Sequence, residues 1–186
     1  MAITRSLFRT LSQQVLSPAK IVTDMNNSIS DNNESNMFVT LIVGILDLET
    51  GKLKLCNAGH NPPILIRPDG QVSFLEFKTQ IFVGVIEEFA YTEDETTLEK
   101  GSKLFLYTDG VTEAENTEKE LYGDEKLLKT LSDNNTSDVR TTVNGIEDSV
   151  ADHVKEAEAS DDLTILLIQY EPGQQTIKHI SLWKEK

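Results

Sequence analysis

Two short acidic strings in this chain combine residue types that could do chemistry. Thr108-Asp109-Gly110 ends a run with strand character, Lys103–Thr108, and Ser160-Asp161-Asp162-Leu163-Thr164 opens another, Leu163–Tyr170. If these runs are antiparallel neighbours, the end of one lies beside the start of the other. Asp109 and Asp161 then face each other across one rim of a sheet. Two carboxylates that close repel unless one takes up a proton or a cation sits between them. A ligand set made only of oxygen suits Mg²⁺ or Mn²⁺ over softer metals. Gly110 lets the backbone bend away after the first ligand. A bland reading stands beside this one: Asp-Gly after a strand is commonly a turn, and Ser-Asp-Asp a solvated loop.

The elements that must position these residues follow from hydrophobic period. Ile3, Leu7, Leu11 and Val15, with Phe8 alongside, form a helical stripe. Ser17-Pro18 reads as an N-cap followed by proline at the first helical position, and Ile21, Val22, Met25 and Ile29 give that helix its apolar face. Asp31–Asn36 is a polar loop. Met37–Leu46 then reads as a strand buried on both faces, returning through Glu49-Thr50-Gly51-Lys52 into Leu53-Lys54-Leu55. Ile64–Arg67 and Val72–Phe77 flank the turn Pro68-Asp69-Gly70, and Phe89–Leu98 is a weaker strand. Thr136 or Ser137 is expected to cap a helix with Val139, Val143, Ile146, Val150 and Val154 on one face. Strands in one block with helices outside it predict an α+β fold, an antiparallel β-sandwich flanked by helices. Pro172-Gly173 marks a boundary between a domain over 1–171 and a tail over 172–186. That tail either packs on the domain or begins a following one.

Composition narrows the function classes. The 186 residues can bury roughly 70% of their unfolded surface, enough for a core without disulfides. The net charge of −14 repels phosphate backbones and anionic lipid, which argues against nucleic-acid and membrane-surface roles. It attracts cations. A single cysteine, Cys56, and the absence of a leader pattern suit the cytoplasm. Cys56 reads as a buried small hydrophobe, because a cysteine-phosphatase loop needs arginine six residues on, where Pro62 stands. No phosphate-binding Gly-x-x-x-x-Gly-Lys-Ser/Thr loop and no His-Glu-x-x-His pair occurs.

Three strings, in order and spacing, raise the acidic motifs above the turn reading. They are Leu55-Cys56-Asn57-Ala58-Gly59-His60-Asn61-Pro62-Pro63-Ile64-Leu65, then Leu106-Tyr107-Thr108-Asp109-Gly110-Val111-Thr112-Glu113-Ala114, then Asp161-Asp162-Leu163-Thr164. Together they resemble the SpoIIE/RsbU branch of the metal-dependent (type 2C, PPM) protein serine/threonine phosphatases, over about residues 1–171. The resemblance implies a β-sandwich with a two-metal Mg²⁺ or Mn²⁺ site on one rim, and in-line attack of an activated water on phosphoserine or phosphothreonine. It places Asp109 and Asp161 at metal-ligand positions and Asp162 beside them, hydrogen-bonding a bound water. Gly110 and His60 fall near the site as structural residues, with no catalytic residue beyond the metal ligands. The implied substrate is a phosphorylated anti-anti-sigma-like protein in bacterial partner-switching control of sigma factors.

One departure qualifies the match. The family opens with Gly-Asp on one strand and Asp-x-x-Gly-x-Gly on the next, whose first acidic residue bridges both metals. Neither pattern is present, and the only Gly-Asp, Gly123-Asp124, lies elsewhere. Met1–Ser6 resembles the helix that follows the glycine motif, so the expectation is a domain that begins partway through. Bare sheet edges would then favour a homodimer. The chain alone is expected to turn over weakly or not at all. The alternative is a non-catalytic regulatory binding module of the same fold.

Overall fold

Helical and strand periods alternate along the chain as α1 (Ala2–Leu11), α2 (Pro18–Ser30), β1 (Leu41–Leu46), β2 (Lys52–Ala58), β3 (Ile64–Ile66), β4 (Val72–Phe74) and β5 (Thr79–Gln80). Then come β6 (Asp94–Thr97), β7 (Lys103–Tyr107), α3 (Asp109–Thr112), α4 (Asp124–Asp133), α5 (Val139–Val154), β8 (Leu163–Gln169) and β9 (Lys178–Lys184). This computed structural model describes residues 2–13, 17–31, 33, 37–135, 138–157, 162–173 and 178–184, with backbone only at 2–3 and 178–184. The α+β class read from sequence is the class observed. The chain forms two compact units, Met1–Pro62 with Glu76–Leu98, and Pro63–Leu75 with Glu99–Lys186.

In the first unit, Ser17 and Pro18 start α2 as expected. Ser17 Oγ accepts the Lys20 amide at 3.2 Å. Glu93 Oε2 accepts both Ser17 Oγ–H at 2.6 Å and the Ala19 N–H at 3.2 Å, so further donors of the first turn are satisfied. Ile21, Val22, Met25 and Ile29 bury against Val43, Cys56, Ala58, Val83 and Tyr91. Leu7 and Leu11 of α1 pack on that cluster, while Val15 lies outside the described residues. The sheet order is β1-β2-β5, with β6 also on β2. β1 and β2 are an antiparallel hairpin from Leu41↔Ala58 to Leu46↔Leu53, closed by Asp47 Oδ1 accepting the amides of Glu49 and Thr50. The long strand expected at Met37–Leu46 is corrected: it starts at Leu41, and only Val43 within it is buried. Among the described residues β1 is the outer strand of its sheet, paired along its length with β2. Before it, Val39 pairs with Val83 in an isolated bridge, and the Asn33 side chain bonds the Met37 amide and carbonyl. The Phe89–Leu98 run likewise shortens to β6.

The second unit holds an antiparallel sheet in the order β4-β3-β7-β8-β9. Ile64, Ile66, Phe105, Tyr107, Ile165 and Leu167 on its strands bury against Leu127 and Leu131 of α4 and Val139, Val143, Ile146 and Val150 of α5. The apolar stripe of α5 is as expected, but its cap is not. Thr136 and Ser137 lie outside the described residues, and Asp138 is the N-cap, with Oδ2 accepting the Thr141 amide at 2.8 Å. A carboxylate there also favours the positive end of the helix. In the tail, β9 pairs with β8 from Leu163↔Lys184 to Gln169↔Lys178.

Candidate metal centre

β7 and β8 are antiparallel neighbours, paired from Lys103↔Gln169 to Tyr107↔Ile165. The end of β7 therefore meets the start of β8, as the acidic motifs require. Thr108 extends the ladder past its last pair. Its N–H donates to the Thr164 carbonyl at 3.1 Å, and its Oγ1 accepts the Thr164 N–H at 3.0 Å. The same hydroxyl donates to the Asp162 carbonyl at 3.2 Å. One side chain thus fixes both acidic segments to each other.

Asp109 follows as the first residue of the single-turn helix α3. Its Oδ1 accepts the Gly110 N–H at 3.1 Å, its carbonyl accepts the Glu113 N–H at 2.7 Å, and its side chain is exposed. Asp162 is half-buried just before β8. Gly110 is required here, though not for a bend: its φ is not positive. A Cβ at Gly110 would lie 2.3 Å from the Asp162 carbonyl oxygen and 2.9 Å from its carbon. Only a residue without a side chain lets the two main chains approach so closely.

The segment after α3 is braced from beneath. Tyr122 is buried, and its hydroxyl meets Thr130 Oγ1 at 2.9 Å and donates to Ser149 Oγ at 2.8 Å. The Tyr122 and Gly123 amides return to the carbonyls of Ala114 and Thr112, both at 2.9 Å. Asp124 hydrogen-bonds Tyr107, whose hydroxyl is held well above its ordinary pKa, first by burial and then by the Asp124 charge and that hydrogen bond. The Gly123-Asp124 pair therefore serves the end of β7.

Asp161, the second residue expected to hold metal, lies outside the described residues. Among the described residues no three carboxylate, histidine or cysteine side chains converge on one point. The donor chemistry at the rim is an exposed carboxylate with main-chain oxygens close behind, which fits a hard divalent cation that keeps much of its water. His60 belongs to the first unit. Its amide donates to Asn57 Oδ1 at 2.8 Å, its carbonyl accepts from Asn57 Nδ2 at 2.9 Å, and its ring Nδ1 lies 3.3 Å from the Asn61 carbonyl. Asn57 is buried, so this motif is a braced strand end. Cys56 is fully buried, and burial pushes its thiol up to about 12, which removes it as a nucleophile at neutral pH. Sequence reasoning missed Thr108 as a support. The signal for Thr108 was a hydroxyl residue between a strand and Asp-Gly.

Residues 1–171 match the family described as Stage II sporulation protein E (SpoIIE). Protein IcfG of Synechocystis sp. is 30% identical over 139 residues, covering 75% of this chain and 22% of IcfG. Phosphoserine phosphatase RsbU of Bacillus subtilis is 24% identical over 170 residues, covering 91% of this chain and 50% of RsbU. The chain thus spans about half the length of RsbU and less of IcfG. The manganese-soaked phosphatase domain of the cell fate determinant SpoIIE from Bacillus subtilis superposes with a TM-score of 0.62 at 18% identity, covering 93% of this chain and 76% of that one. That likeness is one of fold. With residues 1–171 matched to its model, the chain belongs to the SpoIIE family.

Proposed function

We propose that this chain is part of a metal-dependent phosphatase that removes phosphate from serine on an anti-anti-sigma-like regulatory protein, in partner-switching control of transcription. The observation that carries the reading is the Thr108 lock, which holds Asp109 and the Asp162 segment at one end of the β7–β8 ladder. Its supports are the family match and the phosphoserine phosphatase relative. Asp109 and Asp161 are the proposed ligands for Mg²⁺ or Mn²⁺, and Asp162 orients a bound water. Divalent ions at such a site supply Lewis acidity that activates water and neutralises phosphoryl charge. The chain's own part is to fix the ligands: the Gly110 amide orients the Asp109 carboxylate, and Thr108 holds its backbone against β8. We place the reaction in the cytoplasm, which suits the free thiol of Cys56. Among the described residues no helix is long and apolar enough to cross a membrane.

The second reading, a regulatory binding module, draws on the absence of Asp-x-x-Gly-x-Gly from residues 1–186. Manganese binding followed by electron paramagnetic resonance, with phosphate release from a phosphoserine protein alongside, separates the two. Weak Mn²⁺ binding that is lost in both Asp109→Asn and Asp161→Asn, with slow or negligible turnover, is the expected result. Binding unchanged by either substitution overturns the metal site. Robust turnover abolished by Asp109→Asn removes the module reading.

A further inference from the structure

The acidic rim continues onto a third strand, and that strand brings a lysine to it. β8 pairs with β7 on one side and with β9 on the other. Followed across the sheet, Tyr107 stands opposite Ile165, and Ile165 opposite Leu182. In the next row Thr108 bonds Thr164 through its amide and its hydroxyl, and Thr164 is the register partner of Trp183. One step further, the main chain at Gly110 lies against Asp162 and Leu163, and Leu163 is paired with Lys184. The order across the rim is therefore Asp109-Gly110, then Asp162-Leu163, then Lys184. Neighbouring strands lie about 4.8 Å apart, so the Lys184 backbone stands roughly 10 Å from that of Asp109.

The two ends of β9 reach different places. Lys178 pairs with Gln169, itself opposite Lys103, at the end of the ladder away from the acidic motifs. Between Lys178 and Lys184 the strand runs about 20 Å. That is more than two screening lengths of about 8 Å at physiological salt, so the two lysines act on the rim very unequally. The tail is also where the charge of the chain reverses. Residues 172–186 hold three lysines and one glutamate, in a protein of net charge −14. They follow the 1–171 that match the SpoIIE model, so Lys184 lies beyond what the family match covers.

A phosphomonoester carries close to two negative charges at pH 7, and a protein of charge −14 repels it. Carboxylates at the rim add to that repulsion wherever no ion neutralises them. A lysine beside the ligands supplies positive charge to phosphoryl oxygens without taking a coordination position, as a point charge with three donors. We propose that Lys184 is a substrate-binding residue of this rim, drawing the phosphoryl group of a phosphoserine side chain towards Asp109 and Asp161. The inference rests on the phosphatase reading and makes β9 part of its site. A lysine that only neutralised the carboxylates would instead compete with the divalent ions.

The test titrates the full chain, in Mg²⁺, with a phosphoserine peptide and its serine counterpart by calorimetry. Electron paramagnetic resonance follows Mn²⁺ binding to the same proteins. Wild type is expected to bind the phosphoserine peptide about tenfold more tightly than the serine peptide. Lys184→Gln should weaken that binding about fivefold, Lys184→Arg should restore most of it, and Lys178→Gln should leave it unchanged. Melting temperature and Mn²⁺ affinity should stay at wild-type values in all three variants. Equal phosphoserine-peptide affinity in wild type and Lys184→Gln overturns the proposal, as does a wild type that does not distinguish the two peptides. A several-fold gain in Mn²⁺ affinity in Lys184→Gln also overturns it, because Lys184 is then a counter-ion to the carboxylates. Mn²⁺ binding indifferent to Asp109→Asn defeats the phosphatase reading instead, and the peptide comparison between wild type and Lys184→Gln still decides Lys184.

Discussion

Thr108 makes three hydrogen bonds in the space where most strands would offer two. Its hydroxyl is at once acceptor for the Thr164 amide and donor to the Asp162 carbonyl. Thr108→Val keeps the shape and removes both, leaving a main-chain amide and carbonyl short of a partner in a half-buried place. A stability loss of about 1–3 kcal/mol is expected in urea unfolding, with Thr108→Ser recovering most of it. If valine proves harmless, the lock is not what sets Asp109. Part of this rim was legible beforehand: an aspartate and a glycine after one strand and two aspartates before another predicted that Asp109 and Asp161 meet at one ladder end, of which the structure describes Asp109 and the neighbouring Asp162. The reason for Gly110 was not legible, because a close approach by Asp162 is a relation between residues 52 positions apart, and local sequence shows only turn chemistry.

At the scale of elements, α2 is the clearest case of a helix whose start is written locally and completed remotely. Ser17-Pro18 announces the cap, yet the Glu93 carboxylate that accepts from Ser17 and Ala19 arrives from the approach to β6. Burial alone would raise the pKa of Glu93, but its bonds from Ser17, Ala19 and Lys54 outweigh that and lower it. A carboxylate depressed on folding contributes stability that is full above its unfolded pKa and is lost as pH falls through the folded value. Glu93→Gln is therefore expected to destabilise by about 1–2 kcal/mol near neutral pH. The gap to wild type should narrow as the pH falls below about 4, which is the comparison to make by thermal melts across pH. β1 shows the opposite lesson. Its apolar run looked like a strand buried on both faces, but apolar content does not tell an inner strand from an outer one. Met37 and Phe38 lie before the strand and stay exposed, and within it only Val43 is buried.

For the whole molecule, the excess of 31 acidic over 17 basic residues opposes compaction. The ion pairs Lys52–Glu95 and Lys119–Glu115 are exposed and contribute little. Self-repulsion should then dominate the response to salt. Raising NaCl from about 10 to 150 mM shortens the screening length from roughly 30 to 8 Å. The melting temperature is expected to rise by several degrees, and a fall would mean that favourable ion pairs outweigh the net charge. The family was readable from three strings because those strings sit where the fold turns. The exposure of Met37, Phe38, Phe82, Val85 and Ile86 was not, because apolar residues in a sequence read as core.

The Thr108 lock also has a consequence for time. The Thr164 amide is held by a side-chain hydroxyl, whereas the amides of β7 and β8 within the ladder are held by carbonyls between paired strands. A rotation of one side chain releases Thr164 without separating the strands. Its deuterium uptake therefore follows local opening of the rim, while amides such as Phe105 and Leu167 wait for the sheet itself to part. That single amide is a clock for how often the acidic end of the ladder comes apart, readable in the resting protein with no ligand added.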